Sequence, residues 1–332
     1  MADDLKQMTD WAKLEQLVQK NDKDATLRID QEEFEKFCKG RIRGQDDTIS
    51  AVAKLIRLEY SKPKREKPIA NFLFLGATGT GKTELAKAIN AFLFKDDNFL
   101  LRFDCSELSA DYTKARLVGS PPGYVDNQKG GQLTRPMLEN SRRVVLFDEI
   151  EKAHPAIFDL FLQMMGEGRL TEQGSGKTAD FSKAVIILTS NALSDEMSEI
   201  KNQHPDPIEQ TNALKEHLAN SQVFRPEILG RIDKVCIFNS LGPMIMAEIV
   251  IQKINKIAND FQVEVHFIAP EAIAKALEEN KKISRFGVRE LERILFDLFA
   301  EDFASLRDKG EKSCQIGIEN GQIKIIPMKE TS

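Results

Sequence analysis

GATGTGKT, Gly76 to Thr83, is the stretch on which the reading of this chain turns. The apolar run Phe72-Leu73-Phe74-Leu75 precedes it, and a helix-forming stretch, Glu84 to Phe94, follows. The stretch fits G-x-x-x-x-G-K-[ST] in the strand–loop–helix setting that a phosphate-binding loop needs. Gly76, Gly79 and Gly81 let the backbone bend until its N–H groups face an anion. The helix behind them aims its positive end at the same point. Lys82 is long enough to reach β- and γ-phosphates, and Thr83 offers a hydroxyl to Mg²⁺.

A second acidic motif completes the chemistry. Val144-Val145-Leu146-Phe147 is a continuous apolar run, the pattern of a parallel strand buried on both faces, and it ends in Asp148-Glu149. Catalytic groups of open α/β sheets sit just past such strand ends. Asp148 is placed to hold Mg²⁺ as the acidic partner of a phosphate loop. Glu149, its neighbour on a strand whose side chains alternate, points elsewhere and can orient or deprotonate an attacking water. Together the two motifs point to nucleotide hydrolysis rather than binding alone.

Around these motifs the pattern predicts alternating elements. Strands are expected at Phe99 to Phe103, Ala184 to Thr189 and Val235 to Phe238, with an apolar helix from Ile157 to Met165. That order makes a doubly wound parallel α/β sheet with helices on both faces. Residues 1–30 are read as a helical extension, with Leu5, Met8, Trp11, Leu14 and Val18 near helical spacing over 3–19. Its bland role is packing; its sharper one is docking a partner or adaptor. Asp30 with Glu33 resembles a capping box. Ile49, Val52, Ala53, Ile56 and Tyr60 line one face of a further helix, and SKPKREKP, 61–68, reads as a basic solvated linker.

Residues 192–221 are polar and read as a surface excursion, with a helix near Ala213 to Ala219. From 241 to 332 the pattern changes to a second, smaller α+β domain: helices at Pro243 to Phe261, Pro270 to Glu279 and Phe286 to Leu306, and a short strand at Val263 to Phe267. A hairpin then turns at Asn320-Gly321. The nucleotide-binding domain is expected over 31–240.

Composition bounds the rest. With 332 residues, 41% apolar and 30% charged, the chain reads as globular and long enough for two domains. A net charge of −5 argues against nonspecific binding of nucleic acid. Cys38, Cys105, Cys236 and Cys314 are isolated, without C-x-x-C, and read as reduced thiols. No apolar run has membrane-spanning length, and the acidic start is unlike a targeting signal. The expected location is cytoplasmic.

Taken together, RIRGQD, FLFLGATGTGKTELAKA, GSPPGYVD followed by KGGQLT, VVLFDEIEKAHP, GRLTEQGSGKTADF, LTSN, FRPEILGRID and FGVRELER resemble the AAA+ ring ATPases. The closest likeness is to the second ATPase module of the Clp unfoldase and disaggregase branch, over roughly 33–327. The resemblance implies ATP and Mg²⁺ as cofactors, a homo-hexamer, and a protein substrate threaded through a central pore. It implies that Gly76, Ala77, Thr78, Gly79, Thr80, Gly81, Lys82 and Thr83 bind the phosphates, that Thr83 and Asp148 serve Mg²⁺, and that Glu149 activates water. Asn191 becomes the polar sensor near the γ-phosphate, Arg231 the finger offered to a neighbour's nucleotide, and Arg289 the sensor arginine of the lid. Ile42 and Arg43 lie beside the adenine. Gly123, Tyr124 and Val125 form the gripping pore loop.

The chain departs from the family's usual residues at Arg43, commonly apolar, at Asp126, commonly Gly, and at Gly230, commonly Asn. No I-G-[FL] tripeptide occurs in 192–221, where peptidase-docking relatives carry one. Two other readings compete: an AAA+ clamp or helicase loader on nucleic acid, and a nucleotide-gated scaffold. GYVD and the lack of a basic DNA-binding domain weigh against the first, and the Asp148-Glu149 pair against the second.

Overall fold

The structure is a computed structural model and describes residues 29–62, 64–124, 129–204, 206–221, 223–283 and 288–328. The helix expected at 3–19 and the Asp126 position lie outside these. The chain opens with α1 (Gln31–Arg41) and α2 (Asp46–Tyr60). Asp30 caps α1 by accepting from the backbone N–H groups of Glu32 and Glu33. Next come β1 (Ala70–Leu75), α3 (Lys82–Phe94), β2 (Leu100–Asp104), α4 (Thr113–Val118), α5 (Thr134–Glu139) and β3 (Val144–Asp148). They are followed by α6 (Pro155–Glu167), the hairpin β4 (Arg169–Thr171) and β5 (Thr178–Asp180), β6 (Val185–Ser190), α7 (Ser194–Gln203), α8 (Pro207–Asn220), α9 (Pro226–Leu229) and β7 (Lys234–Ile237). The chain closes with α10 (Pro243–Asp260), β8 (Glu264–Ile268), α11 (Pro270–Ile283), α12 (Val288–Asp308), β9 (Ser313–Glu319) and β10 (Gln322–Pro327).

Five strands form one parallel sheet in the order β2-β3-β6-β1-β7. Every residue of β1, β3 and β6 is buried, which explains their mostly apolar sequences, with polar residues at Asn71 and at the C-terminal ends of β3 and β6. Alternate residues feed opposite faces. Phe72, Phe74, Leu146 and Ile187 pack with α1, α2 and α3, whereas Leu73, Leu75, Phe147 and Leu188 pack with α6 and its neighbours. The edge strand β2 is only partly covered, so its pattern is broken by Arg102. A second sheet, β10-β9-β8, has its own core with α10, α11 and α12, centred on Ile254, Leu295, Phe299, Phe303 and Ile316.

The surface excursion expected at 192–221 is corrected, while the helix expected near Ala213 to Ala219 falls within α8. It folds into α7 and α8, and Met197, Leu214 and Leu218 are buried against the main core. Their apolar spacing is sparse because each helix covers the core along one narrow stripe. The hairpin β4–β5 was not anticipated either: each strand is only three residues long, and only its central residue is buried.

All four cysteines are free and buried. Burial pushes the Cys38 thiol up to about 12 and the Cys314 thiol up to about 11.

Candidate nucleotide site

The C-terminal ends of β1, β3 and β6 open into one cleft, and each strand delivers its functional residue at or just past its end. β1 runs into Gly76, β3 ends on Asp148, and β6 hands over to Asn191. The phosphate loop bends through positive φ at Gly76 (153°), Gly79 (82°) and Gly81 (106°). At Gly76 the requirement is also steric: a Cβ there would lie 2.7 Å from the Phe238 carbonyl oxygen. Gly81 precedes α3, whose first residue is Lys82.

Lys82 is 6% exposed, and its Nζ donates to the carbonyls of Gly76 (2.5 Å) and Ala77 (2.9 Å) and to Asn191 Oδ1 (2.8 Å). The same Asn191 side chain donates through Nδ2 to Glu149 Oε1 at 2.8 Å. Glu149 Oε2 pairs with Lys152. Glu149 stands at φ 57°, a left-handed conformation uncommon for a residue with a Cβ. Its amide donates to the Thr189 hydroxyl, which in turn donates to Asp148 Oδ1. Asp148 Oδ2 faces Thr83 Oγ1 at 3.5 Å and accepts from Arg102 Nη2 at 2.8 Å.

The cleft, about 400 Å³, reaches from this sheet edge to the second core. Ile42 and Arg43 line it on one side, with the loop 78–83 on another. Leu241, Ile249, Gln252, Lys253, Lys256 and Glu292 line it from the C-terminal part, where both lysines pair with Glu292. Gln252 Nε2 donates to the Gly40 carbonyl at 2.9 Å, joining α10 to the end of α1. Seven lysine and arginine side chains face four carboxylates in the lining, an excess of positive charge suited to a polyphosphate.

Thr83 and Asp148 are both hard oxygen donors and sit side by side. That fits Mg²⁺, which is held by one or two protein groups plus substrate phosphates rather than by a cage.

Other expected residues fall elsewhere. Arg231 is outside this cleft; its guanidinium lies over Gly166, where a Cβ would come 3.1 Å from Cζ. Its carbonyl accepts from the buried Asn71 side chain at 3.1 Å. Arg289 falls in the first turn of α12, and its side chain lies outside the described part. Gly119 and Gly123 take φ 83° and 94°, and Tyr124 is 68% exposed beyond them; Val125 lies outside the described residues.

Five contributing residues are not marked by any sequence motif. Gln45 is 1% exposed and clamps the loop, with Nε2 on the carbonyls of Thr80 and Asn239 and Oε1 on the Asn239 amide. It stood within RIRGQD, but nothing in that string singles out the glutamine. Arg102 and the C-terminal residues Lys253, Lys256 and Glu292 carried no motif at all.

A parallel sheet ordered 2-3-6-1-7, with a glycine loop between β1 and α3 and an acid pair at the end of β3, one strand removed from β1, defines a P-loop nucleoside triphosphatase. Residues 67–235 match the AAA domain (Cdc48 subfamily), and the chain belongs to that family, which makes it an ATPase by class. It is 36% identical over 302 residues to chaperone protein ClpB of Clostridium tetani (strain Massachusetts / E88), covering 90% of this chain and 34% of the relative. It is 37% identical over 326 residues to chaperone protein ClpB of Oceanobacillus iheyensis, covering 93% and 39%. With the ATP-dependent Clp protease ATP-binding subunit ClpC of Staphylococcus aureus (strain USA300) it shares 37% over 277 residues, covering 80% and 33%. The chain thus spans from 33% to 39% of the length of these relatives. Among the described residues no helix is long and apolar enough to cross a membrane.

Proposed function

We propose that the chain binds ATP with Mg²⁺ between a nucleotide-binding unit, 31–240, and a lid, 241–332, hydrolyses it, and uses the cycle to remodel proteins as one subunit of a cytoplasmic homo-hexameric ring. The observation that carries the reading is the Asn191 side chain, which touches Lys82 with one end and Glu149 with the other. One amide thereby ties the phosphate-side cation to the water-side carboxylate, so a γ-phosphate between them is sensed and attacked in one place.

The roles follow from reach and charge. Backbone N–H groups of 76–83 and Lys82 hold the phosphates. Mg²⁺, held by Thr83 and Asp148, would add positive charge across the phosphate oxygens. Glu149 orients a water and takes its proton. Ile42 and Arg43 flank the base, and Arg289 reads nucleotide from the lid. Arg231 faces away from its own cleft, which supports a role at a neighbour's. Tyr124, exposed on a glycine-bent loop with Gly123 and Val125, grips a threaded polypeptide through its flat ring. Similarity to proteins named as chaperones supports protein, rather than nucleic acid, as the substrate. Residues 1–30 are assigned to adaptor docking.

Glu149→Gln tests the core of this. Nucleotide binding should persist while phosphate release falls about 10²–10⁴-fold. The trapped protein should co-purify with its protein substrates. Undiminished phosphate release would remove Glu149 from its role.

A further inference from the structure

Arg102 sits on the sheet's edge strand β2, in register with Leu146 of β3. Asp148 lies two residues beyond Leu146, so Arg102 and Asp148 leave the same face of the sheet. The Arg102 guanidinium takes Asp148 Oδ2 at 2.8 Å, and this is also the oxygen that faces Thr83. The other carboxylate oxygen is committed to the Thr189 hydroxyl. A metal shared by Thr83 and Asp148 therefore needs the one oxygen that Arg102 covers. Two cations crowded onto a single oxygen repel each other. The mobility is unequal: the Asp148 side chain is 10% exposed and fixed by its neighbours, whereas that of Arg102 is 42% exposed on the cleft wall and has room to turn away.

We propose that Arg102 is the exchangeable counter-cation of Asp148. It neutralises the carboxylate until Mg²⁺ arrives with the nucleotide, and then yields Oδ2 to the metal. Without such a partner, a nearly buried carboxylate would face the incoming phosphates bare and repel them. This inference rests on the ATP-site reading above.

Linkage makes the exchange measurable, because it sets how much Mg²⁺ strengthens nucleotide binding. With Arg102 in place, metal binding swaps one cation for another and the gain is small. With the arginine removed, the metal-free nucleotide meets bare Asp148, so the gain grows. The experiment titrates the full chain with a fluorescent ADP analogue, once with Mg²⁺ and once with a chelator, and takes the ratio of the two affinities. In Arg102→Gln the ratio should rise by about fivefold or more, mainly through weaker metal-free binding. Arg102→Lys, which keeps the charge, should stay within about twofold of wild type. In an Asp148→Asn background, Arg102→Gln should change the ratio no further.

An unchanged ratio in Arg102→Gln overturns the proposal. So does an equal rise in Arg102→Lys, or the same rise when Asp148 is already Asn. These outcomes are distinct from failure of the underlying reading, in which the wild-type chain would not bind the nucleotide analogue at all.

Discussion

Gly76 and Gly123 both stand at positive φ, 153° and 94°, and each anchors a glycine-rich loop, yet their surroundings are opposite. A Cβ on Gly76 would press into the Phe238 backbone; a Cβ on Gly123 would meet nothing within 4 Å among the described residues. Around the first, Gln45 and Lys82 fasten the loop to the interior. Beyond the second, Tyr124 stands largely in solvent. The tyrosine loop is nevertheless firm at its base. The amide of Gln173 donates to the Val118 carbonyl, and the buried Glu172 sits where a Cβ on Gly119 would have to go. Glycine therefore serves close packing in one loop. In the other it serves an anchored base with an open tip. A site that must hold a fixed anion needs the former, and one that meets varied chains suits the latter.

Gly76→Ala breaks the comparison most severely. Backbone strain and forced contact with Phe238 should cost about 2–5 kcal/mol of stability. Nucleotide binding should vanish with it, as read by urea unfolding and fluorescent-nucleotide titration. Retained binding would show that the loop is not held as tightly as its contacts imply.

Glu172→Gln tests the base of the tyrosine loop and should cost about 1–3 kcal/mol, since amides that now reach a carboxylate lose it. Burial works against the Glu172 charge, but the Ser175 hydroxyl and the backbone amides of Ser175, Gly174 and Gly131 outweigh it, holding the carboxyl below its usual 4.5. The folded value is depressed, so this stabilisation is complete above pH 4.5 and is lost as pH falls through the lower folded value. Urea midpoints measured across that range should fall with acid in the wild type and be flatter in Glu172→Gln.

Tyr124→Ala should have the smallest effect on folding, within about 0.5 kcal/mol, because its ring is mostly solvated. Unfolding of a tagged reporter protein should fail in this variant while basal ATP turnover persists. A large loss of stability would mean that the ring is packing, not gripping.

The two loops also differ in how far they could be read from sequence. GATGTGKT carries its own geometry, because only glycine tolerates those bends and only a helix start places Lys82. Phe147-Asp148 and Ser190-Asn191 were legible for a similar reason: strands buried on both faces leave unbroken apolar runs whose ends mark the cleft. Gln45 and Arg102 were silent, since they act on partners 35 and 46 residues away; the approach of Glu172 to Gly119, 53 residues away, was equally silent, although its bonds to Gly174 and Ser175 are local. Nothing local announces such a contact. The helices α7 and α8 were understated because their buried faces are carried by few residues, Met197, Leu214 and Leu218 among them.

The buried thiols have a practical consequence for testing whether the C-terminal region moves against the phosphate loop. Cys38, Cys105, Cys236 and Cys314 are all shielded, and burial pushes the first two and the last further from the reactive thiolate. A cysteine introduced on an exposed face of α10 and another on α3 will react with maleimide dyes far faster than any native one. The wild-type background can thus report distances across the cleft without first being stripped of its own sulfur.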